Sequence, residues 1–342
     1  MTTAQALSTK GQLWVSGLKG DNALARQSSF ETSIGYIPTL SLYKELPNNR
    51  LLDVEWAVRF EQYYSGDSLI LDELEPHRVW VRFFSQTVEL RLGIQRITFG
   101  PAQVLRALSW FDTIDLKDPT GQTDGIDAFR LRWYPSNSLA LWSWVIQNEH
   151  ATVSFGGRGE LSTDIIEWGL TVHHDPSDSL QMIGQTGASI GQPHNRAALD
   201  FRYDGFVGLW NESVLIFSKD KNIKMFTVGV DYTLPIASGI LLMTESMLIS
   251  DTQINSDHLY TALMVSIPMG MVNQLMFITQ LDWEEEKNYN YLRWSSTYDH
   301  YSLNFIASIS PKHSAYNISD NVLQNTVAGF GTNVQLMFIY NH

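Results

Sequence analysis

Polar and apolar residues alternate along most of this chain. Over 51–62, Leu52, Val54, Trp56, Val58 and Phe60 share one parity, and Asp53, Glu55, Arg59 and Glu61 share the other. Over 76–85, Val79, Val81 and Phe83 oppose Arg78, Trp80 and Arg82. Over 300–309, Tyr301, Leu303, Phe305, Ala307 and Ile309 oppose Ser302, Asn304 and Ser308. A period of two marks a strand with one apolar and one polar face. The pattern predicts about eighteen strands, over 11–18, 31–45, 51–62, 76–85, 88–96, 124–134, 138–147, 163–173, 179–186, 196–204, 206–217, 222–232, 239–249, 257–267, 271–281, 290–298, 300–309 and 329–340. Strands 206–217 and 239–249 break the alternation, so their faces stay unassigned.

The connections alternate in length. Short turns fall at 46–49, 85–87, 135–137, 204–205, 268–270 and 299–300, and longer ones at 21–30, 64–75, 99–124, 148–164, 250–257, 282–290 and 310–329. Aromatic residues gather at strand ends, at Tyr63-Tyr64, Trp133-Tyr134, Tyr203, Tyr232, Trp283, Tyr298, Tyr301 and Tyr340. Tight turns at one end, long loops at the other and aromatic girdles are the marks of a transmembrane barrel. A soluble all-β protein is the alternative, but its apolar faces would need a second layer, and no amphipathic helix is there to supply one. The uncharged run from Leu259 to Leu281 is long enough for a membrane helix. Pro268 and Gly270 interrupt it, and alternation on either side predicts a hairpin instead. The expected fold is therefore all-β: a closed antiparallel transmembrane β-barrel of about eighteen strands, sixteen being the alternative. It forms a single domain over 1–342, with both termini at the short-turn end and Leu303 and Phe305 toward lipid.

One connection behaves differently. In the insert 100–124, Pro101 suits a first helical position, and Val104, Leu108 and Phe111 recur at helical spacing. A connection this long in a compact protein usually has a function. The expectation is a short helix packed on the inner wall of the barrel, presenting Asp112, Asp115 and Asp118 to the lumen as a constriction. Arg59, Arg78, Arg82, Arg91, Arg130 and Arg132 fall on the polar parity of neighbouring strands, with Arg196, Arg202 and Arg293 beyond them. Two readings stay open. The arginines pair with Asp53, Glu55, Glu61, Glu89 and Asp200 and stiffen the wall. Or they form a ladder facing the acidic insert, whose transverse field sorts ions and favours carboxylate or phosphate.

Composition narrows the field. The net charge of −13 argues against nucleic-acid binding. Only 17% of residues are charged, below the roughly 25% of soluble domains. Cysteine is absent, which removes disulfides, Cys-ligated zinc and thiol chemistry. The start carries no basic, apolar leader, so an exported protein would correspond here to a mature form with an initiator Met. Gly156-Gly157-Arg158-Gly159 lacks a βαβ context and is expected to be a flexible loop. His173-His174-Asp175 is expected at a strand-end turn, Glu284-Glu285-Glu286 on a solvated face. The aspartates of 112–124 miss the spacing of a calcium loop, and no serine sits in a nucleophile elbow. No enzyme activity, metal or cofactor is expected.

The stretch Arg91 to Pro101, followed by Asp112 to Pro119, is similar to the strand and inward loop of Gram-negative outer-membrane porins. The architecture resembles the general, specific and alginate-export barrels of that class. Val334, Leu336, Phe338 and Tyr340 resemble the terminal assembly strand of such barrels, although the chain runs on through Asn341 to His342. The resemblance implies an outer-membrane channel passing small hydrophilic solutes, anions included, by diffusion. Its partners would be outer-membrane lipid and lipopolysaccharide, with a homo-oligomer open. The alternatives are a barrel that exports polysaccharide or houses a partner protein, and a membrane-embedded hydrolase.

Overall fold

The computed structural model describes residues 5–24, 27–148, 152–182, 189–252, 256–312 and 326–342. Its strands are β1 (Gln5–Gly20), β2 (Phe30–Leu46), β3 (Arg50–Ser65), β4 (Ser68–Phe84), β5 (Val88–Gln95), β6 (Ile126–Ser136), β7 (Leu139–Gln147), β8 (Val153–Ser162), β9 (Ile166–Asp175), β10 (Gln181–Met182), β11 (Ser189–Ile190), β12 (His194–Asp204), β13 (Gly208–Ser218), β14 (Asn222–Leu234), β15 (Ile240–Asp251), β16 (Ser256–Met269), β17 (Asn273–Asp282), β18 (Lys287–Thr297), β19 (Tyr301–Ile309) and β20 (Thr332–Asn341). Eighteen of them form one antiparallel sheet, each strand paired with its neighbours in sequence. β9 pairs directly with β12, and β10 and β11 pair only with each other. β1 pairs with β20 from Gln12↔Asn341 to Gly20↔Asn333, which closes the sheet into a barrel and leaves it no free edge. No helix among the described residues is long and apolar enough to cross a membrane.

One end of the barrel carries only tight connections, at 47–49, 85–87, 137–138, 163–165, 205–207, 235–239, 270–272 and 298–300. The other carries the long ones, at 21–29, 96–125, 176–193 and 310–331. β1 begins and β20 ends on the short-turn side.

The count of eighteen holds because two expectations cancel. Residues 179–186, expected as a wall strand, fall within the 176–193 connection; β10 covers two of them, and 183–188 lie outside the described residues. Residues 153–162, expected inside a loop, are wall strand β8. Its glycines hide the alternation. A Cβ at Gly156 would stand 2.4 Å from the Val172 carbonyl oxygen and 2.7 Å from the Trp144 indole. The residue is small because a large neighbour lies over it.

Two other expected loops are also strand. β3 and β4 run to a tight turn at Gly66-Asp67, and β17 and β18 to one at 283–286. In β4, polar and apolar residues fall on both faces there, Asp72, Glu73 and Glu75 among Leu69, Leu71 and Leu74, so the sequence loses its period while the pairing continues.

Outward faces are apolar around the ring. Leu92, Phe129, Phe155, Leu170, Leu215, Leu263, Phe305 and Leu336 all stand exposed on the isolated barrel; Leu303 shares the face of Phe305, half-buried. Such a band is what a bilayer covers. Aromatic contacts such as Tyr298–Tyr301 and Phe206–Tyr232 cluster at the short-turn end. Tyr63 does not join the girdle. It points inward and donates to Glu31.

Inward faces divide in two. On β3 to β6 they are polar, with Asp53, Arg82, Glu89 and Arg130. On β12 to β18 many are buried and apolar, among them Val214, Ile216, Met225, Met247 and Ile278. An apolar interior wall needs cover from water.

Candidate functional site

Connection 96–125 supplies that cover. It leaves β5, folds into the barrel and buries Ile97, Phe99, Leu105, Leu108 and Trp110 against Trp144, Val214, Ile216, Met225 and Met247. Val104 and Phe111 pack against the same cluster.

The expected helix over 101–111 does not form; the segment runs through bends and turns. Its N–H groups are held by the wall instead. Glu245 on β15 accepts from the backbone of Gln103, Val104 and Leu105 at 2.7, 2.9 and 2.6 Å, and from Trp210 Nε1 at 3.1 Å. Glu212 on β13 accepts from the backbone of Ala102 and Leu108 at 3.0 and 2.9 Å. Both residues are 0% exposed. A buried carboxylate is tolerated only where donors replace its lost water, and the bent backbone provides five. Gly100 has φ +80, and a Cβ there would lie 2.1 Å from Glu212 Oε1. The glycine makes room for the clamp.

Past the clamp the chain crosses the lumen. Tyr291 on β18 donates to Lys117 O at 2.6 Å, and Arg293 to Leu116 O at 3.4 Å. On the far side Gln122 Nε2 donates to Gln12 Oε1 on β1 at 2.7 Å. His77 bonds Gln122 at 3.1 Å, and Arg78 donates to Thr123 O.

The tip leaves open, polar-lined space on both sides. A cavity of about 390 Å³ on the long-loop side is bounded by Ser16, Ser33, Arg59, Glu61, Asp118 and Gln122. One of about 410 Å³ on the short-turn side is bounded by Lys10, Gln12, Glu55, Arg78, Arg96 and Gln122. A third, about 450 Å³, reaches from Asp118 across Lys117 to Gln280 and Tyr289.

The sequence-selected acids divide. Asp112 is not turned to the lumen. It is buried, paired with Arg106 and accepting from Thr98 Oγ1 at 2.6 Å. No pattern of spacing marked Arg106, six residues away in the same loop, as its partner. Asp115 and Asp118 hold turns by accepting from the N–H of Lys117 and Thr120, both at 2.9 Å, and both line the long-loop space.

The arginines divide too. Arg59 pairs with Asp124 at 2.9 Å and Glu75 at 3.5 Å. Arg82, Arg91 and Arg130 lie at one level on three adjacent strands, through Arg82↔Arg91 and Arg91↔Arg130. Arg82 binds Asp53 at 2.7 Å, and Glu89 bridges Arg91 and Arg130 at 3.3 and 2.6 Å. Arg132 reaches Glu160 at 3.9 Å and lies 3.8 Å from the Trp142 ring centroid. Of the six, Arg78 makes no ion pair among the described residues; it donates to the carbonyls of His77 and Thr123. Beyond them, Arg196 lies near Asp175, Arg202 binds Asp204 and Asp231, and Arg293 meets the loop.

The glycine-cluster residue Arg158 is no loop residue. It is buried on β8, forked onto Asp200 at 2.6 and 2.9 Å and bonded to Thr171 at 2.7 Å. Among the described residues no group of three His, Asp or Glu side chains could hold a metal ion. His173 and His174 end β9 on opposite faces, bonded to Trp144 and Asn195.

No protein-family model and no curated relative matches the sequence. The fold is similar to that of solved structures over nearly its whole length. OccAB1 of Acinetobacter baumannii superposes with a TM-score of 0.65 at 8% identity, over 98% of this chain and 96% of that one. An anion-selective porin from Comamonas acidovorans gives 0.53 at 13% identity, over 99% and 100%. A mutant of the Rh. blastica porin gives 0.55 at 7%, over 98% and 100%. At such identities the likeness is one of fold.

Proposed function

We propose that this chain is an outer-membrane channel through which small hydrophilic solutes diffuse. The observation that carries the reading is the pair of polar-lined cavities on either side of the loop tip, inside a closed barrel with an apolar exterior. Lipid covers the apolar band, with lipopolysaccharide around the long-loop end. The site is then the narrow passage between loop tip and wall. It is lined by Gln12, Arg59, Arg78, Asp118 and Gln122, with Asp115 above and the Arg82–Arg91–Arg130 rung and Arg132 below. The reading needs no bond chemistry, cofactor or energy source, and what the passage sorts is size and charge. Arg78, which joins no ion pair among the described residues, supports carboxylate-bearing molecules among the solutes. A polysaccharide-export barrel would need an unobstructed lumen, and the bridge of Gln122 to Gln12 argues against one.

Planar-bilayer recording of the purified protein tests the reading. Stable unitary current steps are expected. Folded protein that inserts and carries no current would overturn it.

A further inference from the structure

The two cavities differ in the sign of their charge. On the long-loop side, Glu31, Glu61, Asp118 and Asp124 line the space with one cation, Arg59, which is already bound to Asp124. The adjoining space adds Asp115 and Lys117, themselves a pair at 3.9 Å. On the short-turn side the wall carries Lys10, Arg78 and Arg96 against one carboxylate side chain, Glu55. None of those three cations joins an ion pair among the described residues. Gln122 and Gln12, both neutral, stand at the boundary.

From this we infer that the passage is polarised along its axis, acidic above the loop tip and basic below it, and that it selects small solutes bearing both an ammonium and a carboxylate. The inference rests on the channel reading above and refines its solute class. A net anion is repelled in the first cavity and a net cation in the second. In a narrow space walled by low-dielectric protein these potentials reach well into the lumen. A zwitterion can lie across the boundary with its ammonium among Glu61 and Asp118 and its carboxylate beside Arg78 and Lys10. Both halves are then favourable, and the net charge moved through either field is zero. The same polarity acts on salt. A voltage positive on the long-loop side drives cations inward through the acidic half and anions outward through the basic half, so both gather at the tip and conductance rises. The opposite voltage drains both.

Two measurements on the full chain test this. In single-channel recordings at about 0.01 M KCl, where the Debye length is about 30 Å, currents at equal and opposite voltages should differ. They should converge at about 1 M, where it is about 3 Å. In proteoliposomes, γ-aminobutyrate should escape faster than butyrate or butylammonium. Lys10→Gln, Arg78→Gln and Arg96→Gln together should speed butylammonium and remove the advantage of γ-aminobutyrate. Equal currents at low salt, or release no faster for the zwitterion than for both charged controls, would overturn the inference while leaving a working channel. Protein that inserts yet shows neither current nor release of any solute would overturn the channel reading itself.

Discussion

Gln122, at the tip of the inward connection, donates to the side-chain carbonyl of Gln12 on β1 at 2.7 Å, and Gln12 donates in turn to Thr120 O at 3.3 Å. The bond ties a loop rooted between β5 and β6 to the strand that closes the barrel. Neither amide carries charge. Gln12→Ala with Gln122→Ala should therefore raise single-channel conductance in about 1 M KCl, where screening hides wall charge, and leave the reversal potential as it was. Unchanged conductance would place the narrow point elsewhere.

Glu245 holds the root of the same loop. Glu245→Ala leaves three backbone N–H groups and the Trp210 indole without their acceptor. An orphaned buried donor costs about 1–3 kcal/mol. The melting temperature in detergent should fall, and the open current should become noisy as the loop loosens. Glu245→Gln keeps one acceptor oxygen and should lie between. A quiet channel with an unshifted melting temperature would show that packing alone seats the loop.

Arg78 and Arg82 test which wall charges reach the solution. Arg82 is neutralised by Asp53 at 2.7 Å, whereas Arg78 donates only to carbonyls. In a salt gradient at low ionic strength, Arg78→Gln should shift the reversal potential toward cations more than Arg82→Gln does. Removing Arg82 leaves Asp53 unpaired, so the two shifts could be alike only if that carboxylate also governs the passage.

Gly156 tests the strand that alternation does not reveal. Gly156→Ala forces a methyl toward the Val172 carbonyl and the Trp144 ring. Overpacking of this kind costs about 1–3 kcal/mol, readable as a lowered midpoint in urea unfolding from lipid vesicles. If 153–162 were a free loop, the change would be silent.

Phe305, midway along β19, is 42% exposed on the isolated barrel and faces outward. Phe305→Arg should destabilise the folded protein in vesicles by about 2–4 kcal/mol. A neutral result would put this face against protein or water.

Most of the wall was legible because each polar-lined strand carries its own period. That period named β3, β4, β5, β6 and β19 and put Arg82, Arg91 and Arg130 on one face. It failed on 206–217 and 239–249 for a physical reason. There the inward face is apolar as well, at Val214, Ile216, Met243 and Met247, because a loop covers it. The two acids that interrupt those faces, Glu212 and Glu245, are the clamp. Broken alternation with one inward carboxylate was the available signal. The helix expected over 101–111 shows the converse. Helical spacing was present, but the spacing of a loop's apolar residues does not reveal that carboxylates over a hundred residues away will take its N–H groups. Gln12 and Gln122 carried no sequence signal at all.

The clamp also orders events during assembly. Residues 102–108 are synthesised long before Glu212 and Glu245, and the two acids come within reach of one segment only once β13, β14 and β15 lie side by side. Until then the loop has nothing to grip, and the apolar interior of β12 to β18 is a sticky surface facing a half-built ring. Docking of the loop thus reports that the later strands have registered correctly. A chain in which β13 and β15 had slipped by one residue would turn both acids toward lipid and leave the loop without the acceptors that seat it.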